Sequence, residues 1–425
     1  MSIELIIFLA MVIVFVAGCF LLKLPVSLSM VLAAVVGALV GGYGFPLRHL
    51  IEGTFSYVDT ILVITTAMIF MKVIQESGAL DALSSLIIEK FHKAPALLVC
   101  LIMLVIMFPG MITGSSTAAV LSAGSIMAPV LMLIGIPQLE TACILAMGGI
   151  LGMIAPPVNI PAMIIGGGID IPYVGFELPL ALLTFPLAFV FALMFGLKYV
   201  KKLEYEVIRE KLNHEPGEKF GFKIYIPIFV AMILMVLNKT VPSLPNLGMP
   251  LIFMIASVTG LFTGYKINVQ KVCKDAVQSV LPVLGILMGV GMFIQIMTLT
   301  GVRGFIVTTC LSLPNGFLYL AMAVTIPLFG AVSSYGAASV LGVPFLLAFL
   351  SKNQIITAAA ISLIASLGDM MPPTALAGIF AAQVVGLDKY TKVLKKCMIP
   401  SLMIIVWAIA FILLANVLAP YIVIK

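Results

Sequence analysis

Apolar residues fill long stretches of this chain, and charged residues occur mainly between those stretches. No Asp, Glu, Lys or Arg occurs from Ala94 to Leu139, and none occurs from Gly304 to Ser351. A helix needs roughly 20 apolar residues to cross about 30 Å of hydrocarbon. Each run is therefore long enough for more than one span, or for a span and a re-entrant hairpin. The pattern predicts an all-α integral membrane protein that lies in a lipid bilayer.

Composition agrees with this pattern. Of the 425 residues, 62% are hydrophobic and only 9% are charged, and the mean hydropathy is +1.25. A soluble fold does not hide that much apolar surface from water. The first apolar segment, Ile3 to Leu22, has Glu4 where a signal peptide has basic residues, so we interpret it as a retained first helix. The net charge of +6 lies between the spans, which indicates membrane topology and not nucleic-acid binding.

An internal repeat is visible at offsets of 216 to 223 residues. The segment ACILAMGGILGMIAPPVNIPA aligns without gaps with AAAISLIASLGDMMPPTALAG, and GSSTAAVLSAG matches AVSSYGAASVLG. A third pair of matching segments ends at Gly78 and at Gly301. Three matches in the same order are not expected from chance among apolar residues. The matched residues are Gly78 with Gly301, Ser115-Ser116 with Ser333-Ser334, Gly152 with Gly368, and Pro156-Pro157 with Pro372-Pro373.

Basic residues give the orientation of the two halves. The charged stretch from Lys198 to Lys223 and the single Lys23 are expected in the cytoplasm, which places the N-terminus outside. The lysine-rich run at 389–396 is also expected inside, and the C-terminus outside. We predict a first inverted repeat at 1–197, a cytoplasmic charged linker at 198–223 and a second inverted repeat at 224–425. Such repeats are typical of secondary transporters, whose sites lie near the membrane midplane.

Each half contains a loop of Gly and Ser within apolar sequence. In the first half it is FPGMITGSSTAAVLSAG, residues 108–124. Unpaired carbonyls cannot face lipid, so a non-helical tip at this depth must line protein or water. Its carbonyl and hydroxyl oxygens suit a hard cation such as sodium, and adjoining helix N-termini favour an anion. The alternative is that Ser and Gly only permit close helix packing; the recurrence in the second half favours a functional loop.

Each half also contains a Gly-x-x-x-Pro-Pro motif. Two consecutive Pro residues remove two amide donors and release the carbonyls one turn earlier, so each motif predicts a broken helix. Asn159 and Thr374 follow the breaks and offer side-chain oxygens. A single Pro would be weak evidence, since Pro kinks are common in membrane helices, but a doubled Pro at equivalent places is stronger.

Asp369 is the one charged residue between Asn353 and Leu387. Burying an ionisable group in a membrane is costly, so such a residue is a functional candidate. It is predicted to be a sodium ligand, a proton carrier or the partner of a cation; the alternative is a carboxylate in a water-filled vestibule without a coupling role. Lys72 and Arg303, near span ends, are weaker candidates for attracting an anion.

The sequence shows no signature of an enzyme or of a metal cluster. Six Cys occur without a Cys-x-x-Cys pair, and three His are far apart. There is no Gly-Lys-Ser/Thr phosphate loop, no His-Glu-x-x-His motif and no His near the Ser pairs to act as a base. We predict neither enzymatic activity nor a cofactor. Because the sequence has no nucleotide-binding motif, transport is expected to draw its energy from an ion gradient or an external ATPase.

The motifs resemble the large membrane subunit of the tripartite ATP-independent periplasmic (TRAP) transporters, in the ion-transporter superfamily. The resemblance rests on GMITGSSTAAVLSAGSIMAPVLMLIGIPQ and AMGGILGMIAPPVNIPAMIIGGG, in which the Gly-Ser-Ser loop, Pro129, the Gly-Ile-Pro turn and the Pro-Pro pair have the family's spacing. It extends over nearly the whole chain. It is looser in the second half, where SSYGAASVLGVP and GDMMPP replace the usual motifs.

The resemblance implies sodium-coupled uptake of organic anions, mostly carboxylates, across the bacterial inner membrane. It implies an elevator-type movement of a transport core against a scaffold. It also implies two partners, a small four-span membrane subunit and a periplasmic or extracellular solute-binding protein. Nothing in this chain looks like a fused small subunit, so a separate polypeptide is expected.

The candidate residues follow from these motifs. With the family's role carried over and Asp369 added, the predicted sodium sites consist of Gly114, Ser115, Ser116, Gly152, Pro156, Pro157, Ser333, Ser334, Gly368, Asp369, Pro372 and Pro373. The predicted substrate contacts are Thr117, Asn159, Tyr335, Gly336 and Thr374. The second copy departs from the family pattern at Tyr335, Gly336 and Asp369, so coupling or specificity is expected to differ there.

The leading hypothesis is therefore a sodium-driven importer of a carboxylate-bearing solute. One alternative is a stand-alone organic-anion or dicarboxylate carrier, proton-coupled through Asp369. Another is a membrane scaffold subunit that transports nothing, which would have no need of uncapped backbone at membrane depth.

Overall fold

The computed structural model describes residues 2–200, 213–240, 245, 247–311, 314–372 and 375–423. Within these ranges every regular element is a helix, which confirms the predicted all-α fold class. Seven of the described helices are long and apolar enough to cross a membrane. An eighth span results if Met398–Leu413 and Ala415–Ile422, bent by 82° at a break, count as one.

The same order of elements occurs in both halves: two apolar helices, a long scaffold segment, a short helix, a hairpin, a broken helix and a last apolar helix. In the first half the α-helices are Ile3–Phe20, Val26–Val40, Leu47–Phe55, Val58–Glu76, Ala79–Phe91, Pro95–Thr113, Ser116–Ala119, Ser125–Leu133, Gln138–Ile154, Ile160–Gly167 and Glu177–Gly196, with a π-helical turn at Val120–Gly124.

In the second half, after Glu215–Phe220 and a 3₁₀ turn at Gly221–Tyr225, they are Ile226–Thr240, Gly248–Gly260, Val269–Leu299, Val302–Leu311, Asn315–Gly330, Ser334–Ala337, Val343–Ala348, Gln354–Ser366, Leu376–Val385, Thr391–Lys396, Met398–Leu413 and Ala415–Ile422. A π turn at Ala338–Gly342 and a 3₁₀ turn at Leu367–Met370 complete this half. The recurrence supports the predicted repeat; the boundaries and opposite orientations of the halves stay predictions.

Four segments form the centre of the molecule. The first hairpin is residues 95–133 and the second hairpin is residues 315–348. The first broken helix is residues 138–167 and the second broken helix is residues 354–385. The central part of each hairpin, where the chain reverses, is its tip.

Each hairpin reverses because the chain leaves helical geometry at the predicted Ser pair. Gly114 ends Pro95–Thr113 with a left-handed backbone (φ 64°), and a Cβ there would lie 2.6 Å from Cγ1 of Ile160. Only glycine meets both demands without strain. Ser115 and Ser333 are extended, and their hydroxyls accept hydrogen bonds from Ala118 N and Gly336 N, both at 3.2 Å. These side chains are N-caps of the returning helices.

Both broken helices occur where the Pro-Pro motifs predict them. Gln138–Ile154 ends before the extended Ala155, and the helix resumes at Ile160 beyond Pro156-Pro157. Gln354–Ser366 tightens into the 3₁₀ turn and the chain resumes as a helix at Leu376. Pro372 is exposed, whereas Pro373 and Thr374 lie outside the described residues.

The scaffold is organised around the 31-residue helix Val269–Leu299. It packs against Val26–Val40, Leu47–Phe55 and Val58–Glu76 of the first half. At the closest approach a Cβ on Gly291 would lie 1.9 Å from the carbonyl oxygen of Gly53, so this crossing requires glycine.

The hairpins and broken helices of both halves interlock in a separate core. The first broken helix packs against both the first hairpin and Leu376–Val385 of the second broken helix. At its start, Gln138 Nε2 donates to the carbonyl of Val385, and the buried Glu140 pairs with Lys396 at 3.4 Å. The core is thus one packed unit that contains elements of both halves.

Each hairpin contacts the broken helix of its own half through glycines. A Cβ on Gly152 would lie 2.7 Å from the carbonyl oxygen of Met107, and a Cβ on Gly368 would lie 2.6 Å from Cα of Gly330. These approaches are shorter than any side chain allows. The glycines therefore determine how deeply each tip reaches between the broken helices.

We expect Gly152→Ala to destabilise the protein by about 1–3 kcal/mol, because the added methyl group must displace the first hairpin. Gly304→Ala is the matched control, since Gly304 is also helical and has nothing within 4 Å of an added Cβ. Thermal unfolding in detergent should show a loss for Gly152→Ala and no loss for Gly304→Ala. Equal stability of the two variants would show that the close approach is not required.

Candidate functional site

The two hairpin tips meet at Asp369, in the 3₁₀ turn of the second broken helix. Ser116 of the first tip donates its hydroxyl hydrogen to one carboxylate oxygen of Asp369, and Ser334 of the second tip donates to the other. Ser116, Ser334 and Asp369 are 2%, 4% and 8% exposed, so the cluster is shielded from bulk water. The structure thus brings together three of the predicted cation-site residues.

The two serines are equivalent in the internal repeat, but the carboxylate is not duplicated. Ser334 corresponds to Ser116 at an offset of 218, whereas Asp369 corresponds at an offset of 216 to Met153, which is fully buried. One carboxylate therefore accepts hydrogen bonds from two hydroxyls that are related by the repeat. This carboxylate is one of two chemical differences between the copies.

A second difference lies beside the first. Tyr335 corresponds to Thr117 at the offset of 218, and its phenol hydroxyl donates to the carbonyl of Gly114 at 2.9 Å. The second tip thus bonds to the backbone of the first tip. Thr117 is partly exposed in the first tip, and no contact marks it as a substrate ligand. Its predicted contact with substrate stays a prediction.

Asn159 connects the two breaks. Its side-chain oxygen accepts from Ala162 N at 2.8 Å and so caps Ile160–Gly167. Its amide nitrogen donates to the carbonyl of Ile154 at 3.0 Å and to the hydroxyl of Ser362 at 2.9 Å. Asn159 is fully buried and its amide group is bonded on both sides, so in this conformation it stabilises the break.

The remaining predicted residues surround this centre. Pro156 and Pro157 form the break, and Val158 N next to them donates to the carbonyl of Met111 at 3.0 Å. Ser115 and Ser333 cap the returning helices. Gly336 is buried in the second tip, where a Cβ would lie 3.4 Å from the ring of Phe15.

The site is rich in oxygen and contains one carboxyl group. Among the described residues no Lys, Arg or His forms an ion pair with Asp369. The described chain also contains no group of three or more His, Cys, Asp or Glu that could hold a metal ion. Hydroxyl, carbonyl and carboxylate oxygens suit a hard cation and not a soft one. A buried carboxylate without a cationic partner requires a proton or a bound cation to offset its charge.

Two solved structures resemble this fold. The antimetabolite efflux pump MtrF of Neisseria gonorrhoeae superposes with a TM-score of 0.59 at 14% identity, over 88% of this chain and 84% of that one. The YdaH transporter of Alcanivorax borkumensis, whose topology is described as unusual, superposes with a TM-score of 0.61 at 15% identity, over 87% and 88%. At these identities the likeness shows a shared fold. No curated protein sequence matches the chain.

Residues 5–423 match the family "Tripartite ATP-independent periplasmic transporter, DctM component". The chain belongs to the DctM family. It is accordingly a multi-pass membrane component of a TRAP-type secondary transporter, in a family that works with other components of a tripartite system. The resemblance inferred from the Gly-Ser-Ser and Pro-Pro motifs is confirmed.

In this DctM protein, side chains from outside the core form hydrogen bonds to the C-terminal end of Ile160–Gly167. The buried Tyr57 donates its hydroxyl hydrogen to the carbonyl of Ile164 at 2.9 Å, and Arg303 donates to the carbonyl of Gly168 at 2.7 Å. The carbonyl of Ile164 also accepts from Gly168 N at 3.0 Å, and the C-terminus of a helix favours a cation such as Arg303. Arg303 also donates to Thr298 at 3.2 Å, so two of its five N–H groups are bonded to protein in this conformation.

Three features in and around the core of this DctM protein are not predicted by the motifs. Nothing near Tyr57 or Ser362 in sequence indicates their hydrogen-bond partners. The π turns follow each tip at equivalent places, and such turns are frequent at functional sites. The internal alignment of the GSSTAAVLSAG segment places both turns in the same register, and that alignment is the one sequence signal that points to them.

Proposed function

We propose that this DctM protein couples inward sodium flux to the uptake of an organic anion, most simply a carboxylate. In this proposal it is the large permease subunit of a TRAP system in the bacterial inner membrane. Its partners are a separate small four-span membrane subunit and a periplasmic solute-binding protein. Family membership favours transport over the scaffold alternative.

The observation that carries the proposal is the shared carboxylate. Ser116 and Ser334 come from opposite halves of the chain, and both donate to Asp369. A transporter with its site between two repeats requires such a meeting point. A cation that enters here would be bound by oxygens of both tips at once, so its binding would be sensitive to the relative position of the halves.

The surroundings support a cation and an anion together. The carbonyl of Gly114, the two hydroxyls and the carboxylate are hard oxygen donors for sodium. The returning segments Ser116–Leu133 and Ser334–Ala348 both begin at the tips. Helix N-termini carry a partial positive charge and bind carboxylates. A cation held at the tips would further favour an organic anion next to it.

The proposed movement is of the elevator type, in which the core slides against the scaffold. Tyr57 of the scaffold and Arg303 of the short helix Val302–Leu311 bond to the C-terminal end of Ile160–Gly167 in the core. These bonds would have to break when the core moves, and new contacts would replace them. This assigns them to one end state of the cycle.

Uptake into proteoliposomes tests sodium coupling. The chain is reconstituted with its small subunit, and radiolabelled carboxylates are supplied with the solute-binding protein. We expect uptake only under an inward sodium gradient, and a loss of more than about tenfold in Ser116→Ala or Ser334→Ala, because each removes a charge-assisted hydrogen bond. Thr308→Ala is the control, since Thr308 is exposed and bonds only to its own helix.

The sodium proposal would be abandoned if an equal potassium gradient drove uptake as well. It would also be abandoned if a proton gradient alone were sufficient.

A second candidate function is a stand-alone, proton-coupled organic-anion carrier. The observation that favours it is that no described Lys, Arg or His forms an ion pair with Asp369. Here we expect uptake by the single chain without partners, and an increase in uptake as the outside pH falls. Asp369→Asn keeps the shape and the acceptor oxygen but cannot titrate. If protons are coupled through this residue, the variant loses the pH dependence of uptake; if pH dependence is unchanged, proton coupling through Asp369 is excluded.

A further inference from the structure

A cavity of about 550 Å³ lies outside the transport core, between Ala79–Phe91, Glu215–Phe220 and the start of Ile226–Thr240. This volume is within the range of small-ligand sites, which is roughly 300–1,000 Å³. Its walls are held by specific bonds: Tyr225 donates to the carbonyl of Ala82 at 3.0 Å, and Ser85 to that of Asn213 at 3.1 Å. The cavity is therefore a formed feature of this surface.

One side of the cavity is apolar and continues along a membrane-facing helix. Phe229 lines the cavity and stacks on Phe222, with ring centroids 5.4 Å apart. From Phe229 an exposed apolar stripe runs along the helix through Met232, Ile233 and Val236, at helical spacing and with exposed fractions rising from 39% to 60%. The candidate span that carries the stripe is Glu215–Asn238. A lipid chain fits such a stripe.

The other side of the cavity carries both signs of charge. Glu89 and Glu218 supply two carboxylates, Lys90 supplies an ammonium group, and His214 supplies a ring. Nε2 of His214 is buried and has no hydrogen-bond partner within the described chain. Exposed Lys219 and Lys223 lie on the same segment, and basic residues at the end of a span are typical of the membrane interface.

We propose that this cavity binds the headgroup of a zwitterionic aminophospholipid of the bilayer, with its acyl chains along the stripe from Phe229 to Val236. The primary ammonium group lies between Glu89 and Glu218 and donates to their oxygens. The phosphate diester lies at Lys90 and at the unpaired nitrogen of His214.

This charge pattern distinguishes among phospholipids. Two carboxylates repel a headgroup that is only anionic, such as phosphatidylglycerol. A choline headgroup has the positive charge but no N–H to donate, so both carboxylates would lose their hydrogen bonds. An aminophospholipid such as phosphatidylethanolamine satisfies both signs of charge at once.

Native mass spectrometry of the full chain, released from delipidated detergent micelles, tests the site. Phosphatidylethanolamine, phosphatidylcholine and phosphatidylglycerol with identical acyl chains are added in equal amounts. We expect one phosphatidylethanolamine to be retained about threefold or more over the other two, the preference expected for partly exposed charge pairs.

Variants of the lining residues test the phosphate end and the ammonium end of the headgroup separately. Lys90→Gln should lower retention of phosphatidylethanolamine about threefold, whereas Lys93→Gln should not, because Lys93 is exposed near the same helix end but does not line the cavity. The double variant Glu89→Gln with Glu218→Gln should remove the preference over phosphatidylcholine. Asp388→Asn, a carboxylate elsewhere on the chain, is the control for the double variant.

The proposal is overturned if the three lipids are retained equally, or if Lys93→Gln lowers retention as much as Lys90→Gln. Glycerophosphoethanolamine, which has the headgroup without acyl chains, should not compete at the same concentration. If it competes as well as the lipid, the cavity is a site for a soluble ligand and the lipid proposal is wrong. None of these residues lies in the transport core, so transport by the variants reports separately on the proposed function.

Discussion

The carboxylate of Asp369, held between hydroxyls from two hairpin tips, is the interaction on which the centre of this protein depends. Placing a charge inside a membrane protein is unfavourable unless hydrogen bonds and a counter-charge offset the loss of water. Here two donors are present, and no cationic side chain among the described residues completes the neutralisation. Under the proposed function, a small cation or a proton completes it.

The rest of the core makes that meeting possible. Gly152 and Gly368 let each hairpin approach its broken helix more closely than any side chain permits, and Gly114 supplies the left-handed turn before the first Ser pair. Asn159 bonds to Ser362 across the halves. At the first break, the carbonyl of Ile154 accepts from Asn159, and Val158 N donates to the carbonyl of Met111. Non-helical chain at membrane depth requires such partners within protein.

Sequence patterns predicted the elements of the core well because they depend on local chemistry. A doubled Pro must break a helix, and a Gly-Ser-Ser run in apolar sequence favours a turn, so both broken helices and both tips could be assigned from the letters alone. The pairing of Ser116 and Ser334 with one carboxylate could not be predicted from the sequence. It depends on how the halves pack, and the partners of Asp369 lie 253 and 35 residues away in sequence. The bonds of Tyr57 and Asn159 were unpredictable for the same reason.

The two halves are alike in architecture and unlike in chemistry. Met153 and Thr117 of the first copy are replaced by Asp369 and Tyr335 in the second, and both replacements contact the first tip. The two copies therefore share the same arrangement of helices, and these two side chains make the site asymmetric.

Sodium binding to the purified chain is the decisive measurement for a cation site shared by the two tips. The thermal unfolding temperature is followed as sodium chloride replaces potassium chloride at constant ionic strength. We expect a saturable stabilisation by sodium that weakens in Ser116→Ala and in Ser334→Ala alike and is lost in Asp369→Asn, because one cation contacts both tips and the shared carboxylate. Equal stabilisation by potassium, or an unchanged sodium response in either serine variant, would contradict a shared sodium site.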